Sequence, residues 1–303
     1  MSLRPEISQL LTQIQASGMK PFHQSSISEV RTAISSFRNM QKPIEHVAKT
    51  TDIEYQEHTW LRIYQPAILQ ASEQRLPVLV YYHGGGFVAG DLDVVDETCH
   101  ALAHLTTHIV VSVDYRLAPE HPFPAAHLDA RTGLQWVVEH IENYSGDLSH
   151  IRLIGDSAGG NLATTTALWA KTKGIHVDKQ VLIYPVIQPE MDSPSRHPEN
   201  AYLISQEDMN WFWMHYAIQD GHEVNYSPLQ FDHLKEAPPT LILSTEYEVA
   251  RDDAEYYGKC LIENGVTTTF KRILGGVHGI FWLSAIVPEH EVMRQEIKAF
   301  LAQ

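Results

Sequence analysis

An apolar, strand-like run, Ile151-Arg152-Leu153-Ile154, passes without a spacer into Gly155-Asp156-Ser157-Ala158-Gly159 and then into Gly160-Asn161-Leu162-Ala163. A serine held between glycines at a strand-to-helix junction can take a strained backbone that lifts its hydroxyl above the end of a sheet, because the glycines let neighbouring chain pack against the turn. The Gly-X-Ser-X-Gly pattern alone arises by chance. The strand before it and the small-residue helix after it are the context that gives it meaning, and they make Ser157 the candidate nucleophile.

The rest of the chain repeats the same strand-to-helix grammar. Pro77 to Tyr82 is an apolar run of strand length that leads into His83-Gly84-Gly85-Gly86-Phe87, and further strands are expected at Ile109 to Val113, Val181 to Tyr184, Leu241 to Ser244 and Thr268 to Leu274. Helical patterns fall between and after them, near Val94 to Leu105, Ala125 to His140, Asp253 to Glu263 and Glu289 to Leu301. This alternation predicts an α/β fold, a mainly parallel central sheet with helices on both faces. Ahead of it, Ile7, Leu10, Leu11 and Ile14, then Ile27, Val30, Ile34 and Phe37, predict two amphipathic helices broken at Gly18 and Pro21. A strand over Thr59 to Tyr64 would put Leu61 and Ile63 on one face. The segment from Gln188 to Tyr226 breaks the rhythm with Pro, Ser and Asn and then carries Trp211-Phe212-Trp213-Met214-His215-Tyr216; it reads as an insertion over the sheet, its aromatics serving packing or substrate contact.

A chain of 303 residues that is 44% hydrophobic can bury a large core. A net charge of -15 with no block of Lys and Arg argues against a nucleic-acid partner. Cys99 and Cys260 form no close pair, so free thiols and a reducing cytoplasm are expected. The first twenty residues hold no uninterrupted apolar stretch of the signal-peptide kind, and no membrane span is expected.

A serine hydroxyl attacks only when a base takes its proton, and a histidine base needs an acid to hold its tautomer. Of 18 histidines, His278 stands in a turn-like setting, Gly275-Gly276-Val277-His278-Gly279, after the last expected strand. The order serine, acid, histidine favours it as the base. The acid is expected in Thr245 to Asp253, after the strand Leu241 to Ser244. Glu248 is the first candidate and Asp252 the alternative; Asp252 and Asp253 fall where they would cap the following helix, and Glu246 suits a salt bridge. The glycines after His83 allow backbone N–H groups to approach an oxyanion, which assigns donors to Gly85, Gly86 and Ala158 and leaves His83 to order the loop. A phosphate-binding role for these glycines lacks both a following Gly-Lys-Ser/Thr and the G-x-G-x-x-G spacing. No metal or organic cofactor is required.

The blocks His83-Gly84-Gly85-Gly86-Phe87, Val113 to Ala126, Gly155 to Asn161, Tyr184-Pro185 and Gly276-Val277-His278-Gly279 together resemble the hormone-sensitive-lipase-like branch of the α/β-hydrolase esterases. The resemblance implies a serine esterase acting on short- to medium-chain acyl esters. It also implies a cap built from N-terminal helices (residues 1–45) and an insertion (188–226) over a core made of residues 46–187 and 227–303. The family's acid loop reads Asp-Pro-Leu-x-Asp, whereas this chain has Glu248-Val249-Ala250-Arg251-Asp252, so the family's catalytic aspartate aligns on Glu248 and Asp252 stays an alternative. Amide or lactone cleavage by the same residues, and a ligand receptor on the same fold, are the competing functions. A small-molecule ester is the expected partner, and a homo-oligomer is compatible with these features.

Overall fold

The apolar runs assemble into one sheet in the computed structural model, which describes residues 3–44, 49–71, 74–189, 193–217 and 224–303. The expected domain boundary at 45/46 and the stretches 190–192 and 218–223 of the expected insertion lie outside the described residues. The strands are β1 (Lys49–Gln56), β2 (Thr59–Gln65), β3 (Leu76–Tyr82), β4 (Ile109–Asp114), β5 (Gly146–Asp156), β6 (Lys179–Ile183), β7 (Thr240–Tyr247) and β8 (Thr268–Val277). Their order is β1-β2-β4-β3-β5-β6-β7-β8. The β1/β2 and β2/β4 pairs are antiparallel and every later pair is parallel. Parallel strands need crossovers, and those crossovers are helices: α3 (Asp96–Thr106), α4 (Ala125–His140), α5 (Ala158–Thr172), α7 (Arg251–Glu263) and, after the last strand, α8 (Glu289–Leu301).

The faces follow from β3. Tyr81 and Tyr82 are neighbours in a strand and therefore point to opposite sides. The Tyr82 hydroxyl donates to the Ala130 carbonyl of α4 at 3.0 Å, and α4 packs beside α5, which meets α7 through Thr164 and Tyr257 hydroxyls 2.7 Å apart. On the Tyr81 side, α3 and α8 are joined by a bidentate bond between the Arg294 guanidinium and the Glu97 carboxylate, at 3.0 and 2.6 Å, with both side chains buried.

Three elements precede or interrupt this core. The first, α1 (Pro5–Ala16), starts with Pro at its first turn and buries Ile7 and Leu10. The second, α2 (Ile27–Ser35), opens on a capping box between Ser26 and Glu29 and buries Val30 and Ile34. Between them Gly18, at φ +70°, turns the chain. The third, α6 (Gln206–Tyr216), lies in the insertion and opens on a capping box between Ser205 and Asp208.

Several strand ends differ from expectation; β7 runs on to Tyr247 rather than ending at Ser244, and β6 starts at Lys179. The strand β5 starts at Gly146 because Leu76 pairs with it before the register shifts at Pro77/Val78. The strand β8 runs through Gly275 and Gly276, so the turn begins at His278; pairing of Val277 with Tyr247 carries the ladder that far. Asp252 and Asp253 do not cap α7. Its N-cap is Ala250, and both carboxylates bond to the insertion instead. No helix among the described residues is long and apolar enough to cross a membrane.

His127 clips three elements together: its Nδ1 lies 2.6 Å from the Tyr216 hydroxyl and its Nε2 3.1 Å from Asn161 Oδ1. Because the Asn161 amide N–H groups donate to backbone carbonyls of Val186 and Tyr226, Oδ1 is the acceptor, so Nε2 carries the proton and Nδ1 accepts from Tyr216. Burial pushes the imidazole down to about 3.

Two expectations follow from these contacts. Arg294→Met leaves Glu97 buried and unpaired and should lower unfolding free energy by about 3 to 5 kcal/mol in a urea titration, whereas Glu97→Leu with Arg294→Met recovers most of it. Below about pH 6.5 the unfolded chain protonates His127 and the folded chain does not, so stability falls with pH from there toward 3. His127→Gln should remove up to about 1.4 kcal/mol per pH unit from that slope, read by denaturation between pH 6.5 and 5.

Candidate active site

Parallel pairing puts the chemistry at one sheet edge. Tyr247 of β7 pairs with Val277 of β8, so the next residues of the two strands, Glu248 and His278, emerge side by side. His278 Nδ1 lies 2.8 Å from Glu248 Oε2, and His278 Nε2 lies 2.8 Å from Ser157 Oγ. Glu248 is fully buried, and its other oxygen accepts from the Thr245 N–H at 3.1 Å. The carboxylate therefore fixes the proton on Nδ1 and leaves Nε2 as the acceptor for the serine.

Ser157 occupies the junction of β5 and α5 at φ 55° and ψ −120°. Its N–H donates to the Ile183 carbonyl at 2.9 Å, and its carbonyl accepts from Val186 at 3.2 Å. Glycine is required around it: a Cβ on Gly159 would overlap the Tyr82 carbonyl oxygen, and one on Gly155 would overlap the Gly159 carbonyl.

The other pairing, Tyr82 with Gly155, brings the glycine loop after β3 alongside. Gly85 and Gly86 have φ of +114° and +64° and border the same cavity as Ser157. Among the described residues, no partner accepts from the N–H groups of Gly85, Gly86 or Ala158. Unpaired N–H groups beside a serine hydroxyl suit a developing oxyanion. His83 stands outside this cluster. Its Nδ1 donates to the Gly84 carbonyl at 2.7 Å, its ring stacks on Tyr115 at 4.3 Å, and burial lowers the imidazole to about 4, which keeps it neutral.

The structure does not bring Asp252 to His278. Its carboxylate accepts from the Ser195 N–H and from Arg251 Nε, both at 2.8 Å, while Asp253 pairs with Arg196. The two acids thus anchor the turn Pro194–Arg196 to the start of α7. Glu246 accepts from the Gly275 N–H at 2.7 Å.

A cavity of about 60 Å³ opens on Ser157 and His278. Phe22, Ile34 and Phe37 from the N-terminal segment and Met209, Phe212 and Trp213 from α6 wall it. The two segments meet where Phe22 contacts Phe212 edge-on at 5.8 Å and where the N–H and Nδ1 of His23 approach Asp208 Oδ1 at 2.9 and 2.8 Å. The aromatic run in the insertion serves both packing and the cavity: Phe212 and Trp213 line it, while Trp211 packs on Phe212 and His215.

Two residues that the sequence blocks contain, without a role assigned to them, also belong to the site. Tyr184 packs on the His278 ring at 4.6 Å, and its hydroxyl accepts from the Phe281 N–H. Asp156 is buried and bonds to the loop after β3. An acid inside the Gly-X-Ser-X-Gly turn, at the end of an apolar strand, was the available signal for it.

Known proteins carry the same plan. A family described as an alpha/beta hydrolase fold matches residues 79–282. Esterase LipI of Mycobacterium tuberculosis (strain ATCC 25618 / H37Rv) is 38% identical over 232 residues, 75% of this chain and 72% of LipI. Carboxylesterase NlhH of the same strain is 36% identical over 236 residues, 75% of this chain and 73% of NlhH. The structure of a hyperthermophilic esterase from the archaeon Pyrobaculum calidifontis superposes with a TM-score of 0.87 at 34% identity, covering 99% of this chain and 98% of that one. With a family match over residues 79–282 and relatives of this identity and coverage, the chain belongs to the hormone-sensitive-lipase-like branch of the α/β hydrolases.

Proposed function

We propose that this protein is a serine carboxylesterase that hydrolyses short- to medium-chain acyl esters through an acyl-enzyme. The observation that carries the reading is the unbroken line from Glu248 through His278 to the Ser157 hydroxyl, ending at the mouth of an apolar cavity. Ser157 Oγ attacks the ester carbonyl carbon as His278 Nε2 takes its proton. The carbonyl oxygen becomes an oxyanion held by the N–H groups of Gly85, Gly86 and Ala158, each worth about 3 kcal/mol in the transition state. As the tetrahedral adduct collapses, the C–O bond to the alcohol breaks and His278 returns the proton to the leaving oxygen. Water, deprotonated by the same imidazole, then attacks the acyl-serine; the carboxylic acid leaves and Ser157 regains its proton. Glu248 stabilises the imidazolium in both halves.

Residues 1–45 and 188–226 act as the cap. Among the described residues of these segments, Phe22, Ile34, Phe37, Met209, Phe212 and Trp213 wall the cavity, and they favour an acyl chain short enough to lie beneath Phe22 and Phe212. We assign the protein to the cytoplasm, in keeping with the unpaired Cys99 and Cys260.

Nitrophenyl esters test the reading. Ser157→Ala and His278→Ala should each lower kcat by about 10⁴-fold or more, and Glu248→Gln by about 10³- to 10⁴-fold, since the amide favours the wrong tautomer. Asp252→Asn should stay within about threefold of wild type. A large loss in Asp252→Asn with little change in Glu248→Gln would reassign the acid, and absence of turnover on every ester would remove the esterase reading. Along a series of acyl lengths, kcat/KM should peak at butyrate or hexanoate and be at least about tenfold lower for laurate. A profile still rising at laurate would contradict the cap's role as the limit on chain length.

A further inference from the structure

One buried acid next to the nucleophile takes no part in the proton transfers. Asp156 is 2% exposed and is among the residues that line the cavity. Its Oδ1 accepts from the Tyr81 hydroxyl at 2.5 Å and from the Gly84 N–H at 3.2 Å. The Tyr81 oxygen in turn accepts from the indole N–H of Trp282 at 3.3 Å. These bonds join three segments that supply reacting groups: the loop after β3 with Gly85 and Gly86, the turn with Ser157, and the short helix Ile280–Trp282 that follows His278.

The contact with the loop is close. A Cβ on Gly84 would stand 2.5 Å from Asp156 Oδ2 and 3.1 Å from the Asp156 carbonyl, so the Gly84 backbone lies flat against this residue. Gly84 is joined through one peptide unit to Gly85, which lines the cavity, and holding one end of that unit orients the other. Burial pushes the Asp156 carboxyl up to about 6, opposed by the Tyr81 hydroxyl, the attraction of His278 and the Gly84 N–H.

We propose that Asp156 is a positioning residue that tethers the glycine loop to the nucleophile turn and so aims the Gly85 and Gly86 N–H groups at the oxyanion. This inference rests on the esterase reading above. A carboxylate acting here only as a charge beside His278 would leave the loop unaffected. A tether needs the acceptor oxygen and tolerates loss of the charge.

The two roles separate in Asp156→Ala, Asp156→Asn and Gly84→Ala, compared with wild type and Ser157→Ala. The assays are nitrophenyl butyrate hydrolysis and inhibition by a trifluoromethyl ketone, which adds to the serine and carries an oxyanion. Asp156→Ala should lower kcat by about 10²-fold, the loss typical of one oxyanion donor, with a parallel loss of ketone affinity and KM within about twofold. Asp156→Asn, which keeps an acceptor oxygen, should stay within about tenfold of wild type. Gly84→Ala keeps the acid but drives the loop off it, and should reproduce the loss of kcat and of ketone affinity even if Asp156→Ala does not fold. The tether is overturned if Asp156→Ala or Gly84→Ala keeps wild-type kcat and ketone affinity. It is equally overturned if Asp156→Asn falls as far as Asp156→Ala, which assigns the effect to charge. Absence of wild-type turnover removes the esterase reading and the tether with it, an outcome distinct from wild-type turnover with Asp156→Ala undiminished.

Discussion

The backbone of Ser157 is the constraint on which the rest of the structure depends. At φ 55° a side chain other than glycine costs roughly 1 to 3 kcal/mol, and such a residue persists only where its surroundings over-determine it. Here β6 supplies the restraint. The Ile183 carbonyl holds the serine N–H, and the chain just after β6 returns at Val186 to hold its carbonyl. On the other side α5 presses Gly159 against the Tyr82 carbonyl of β3, an approach that any side chain would block. The turn is thus clamped by the strands that flank β5, and the parallel order β3-β5-β6 is what places both there. In this arrangement the fold's global topology stabilises a local conformation that the sequence of the turn alone disfavours.

The covering segments wall the cavity over Ser157 and His278 with apolar side chains. The N-terminal segment and α6 are far apart in sequence, yet they close on each other through Phe22 and Phe212 and through His23 and Asp208. Arg31 of α2 fastens the first of them to the core, donating to the carbonyls of Val88 and Ala118 at 2.9 and 3.0 Å and pairing with Glu120. Val88 belongs to the chain that leaves the glycine loop, so the cover and the loop share a fixed reference. Beneath an apolar cover, hydrogen bonds to a developing charge act in a medium of low effective dielectric and gain in strength.

Much of this was legible in the sequence, because parallel strands buried on both faces read as continuous apolar runs and the helices between them show their own period. Helices α4 and α8 have the expected bounds. The cluster at the sheet edge was legible for a related reason: in a parallel sheet every strand ends on the same side, so Gly84, Ser157, Glu248 and His278, each just after a strand, must converge. The choice between Glu248 and Asp252 was not legible. It depends on the register of β7 against β8, which shifts by two residues between the pairs Thr245/Ile273 and Tyr247/Val277, an irregularity that no local pattern in the sequence marks. The bonds of Asp252 and Asp253 to Ser195 and Arg196 were equally hidden, because they join residues more than fifty positions apart through an insertion with no periodic pattern.

That shift also explains how a glutamate fits where the family's pattern has an aspartate. Pairing resumes at Tyr247 and Val277, which sets Glu248 and His278 level with each other at the strand ends. The Glu248 side chain has one oxygen on the Thr245 N–H near the end of β7 and the other facing His278. A carboxylate buried this completely must have its acceptor sites engaged, and the backbone N–H supplies the bond that solvent does not. The extra methylene is therefore used in closing a local ring from Glu248 to Thr245, and this ring holds the carboxylate rigid against the imidazole it orients.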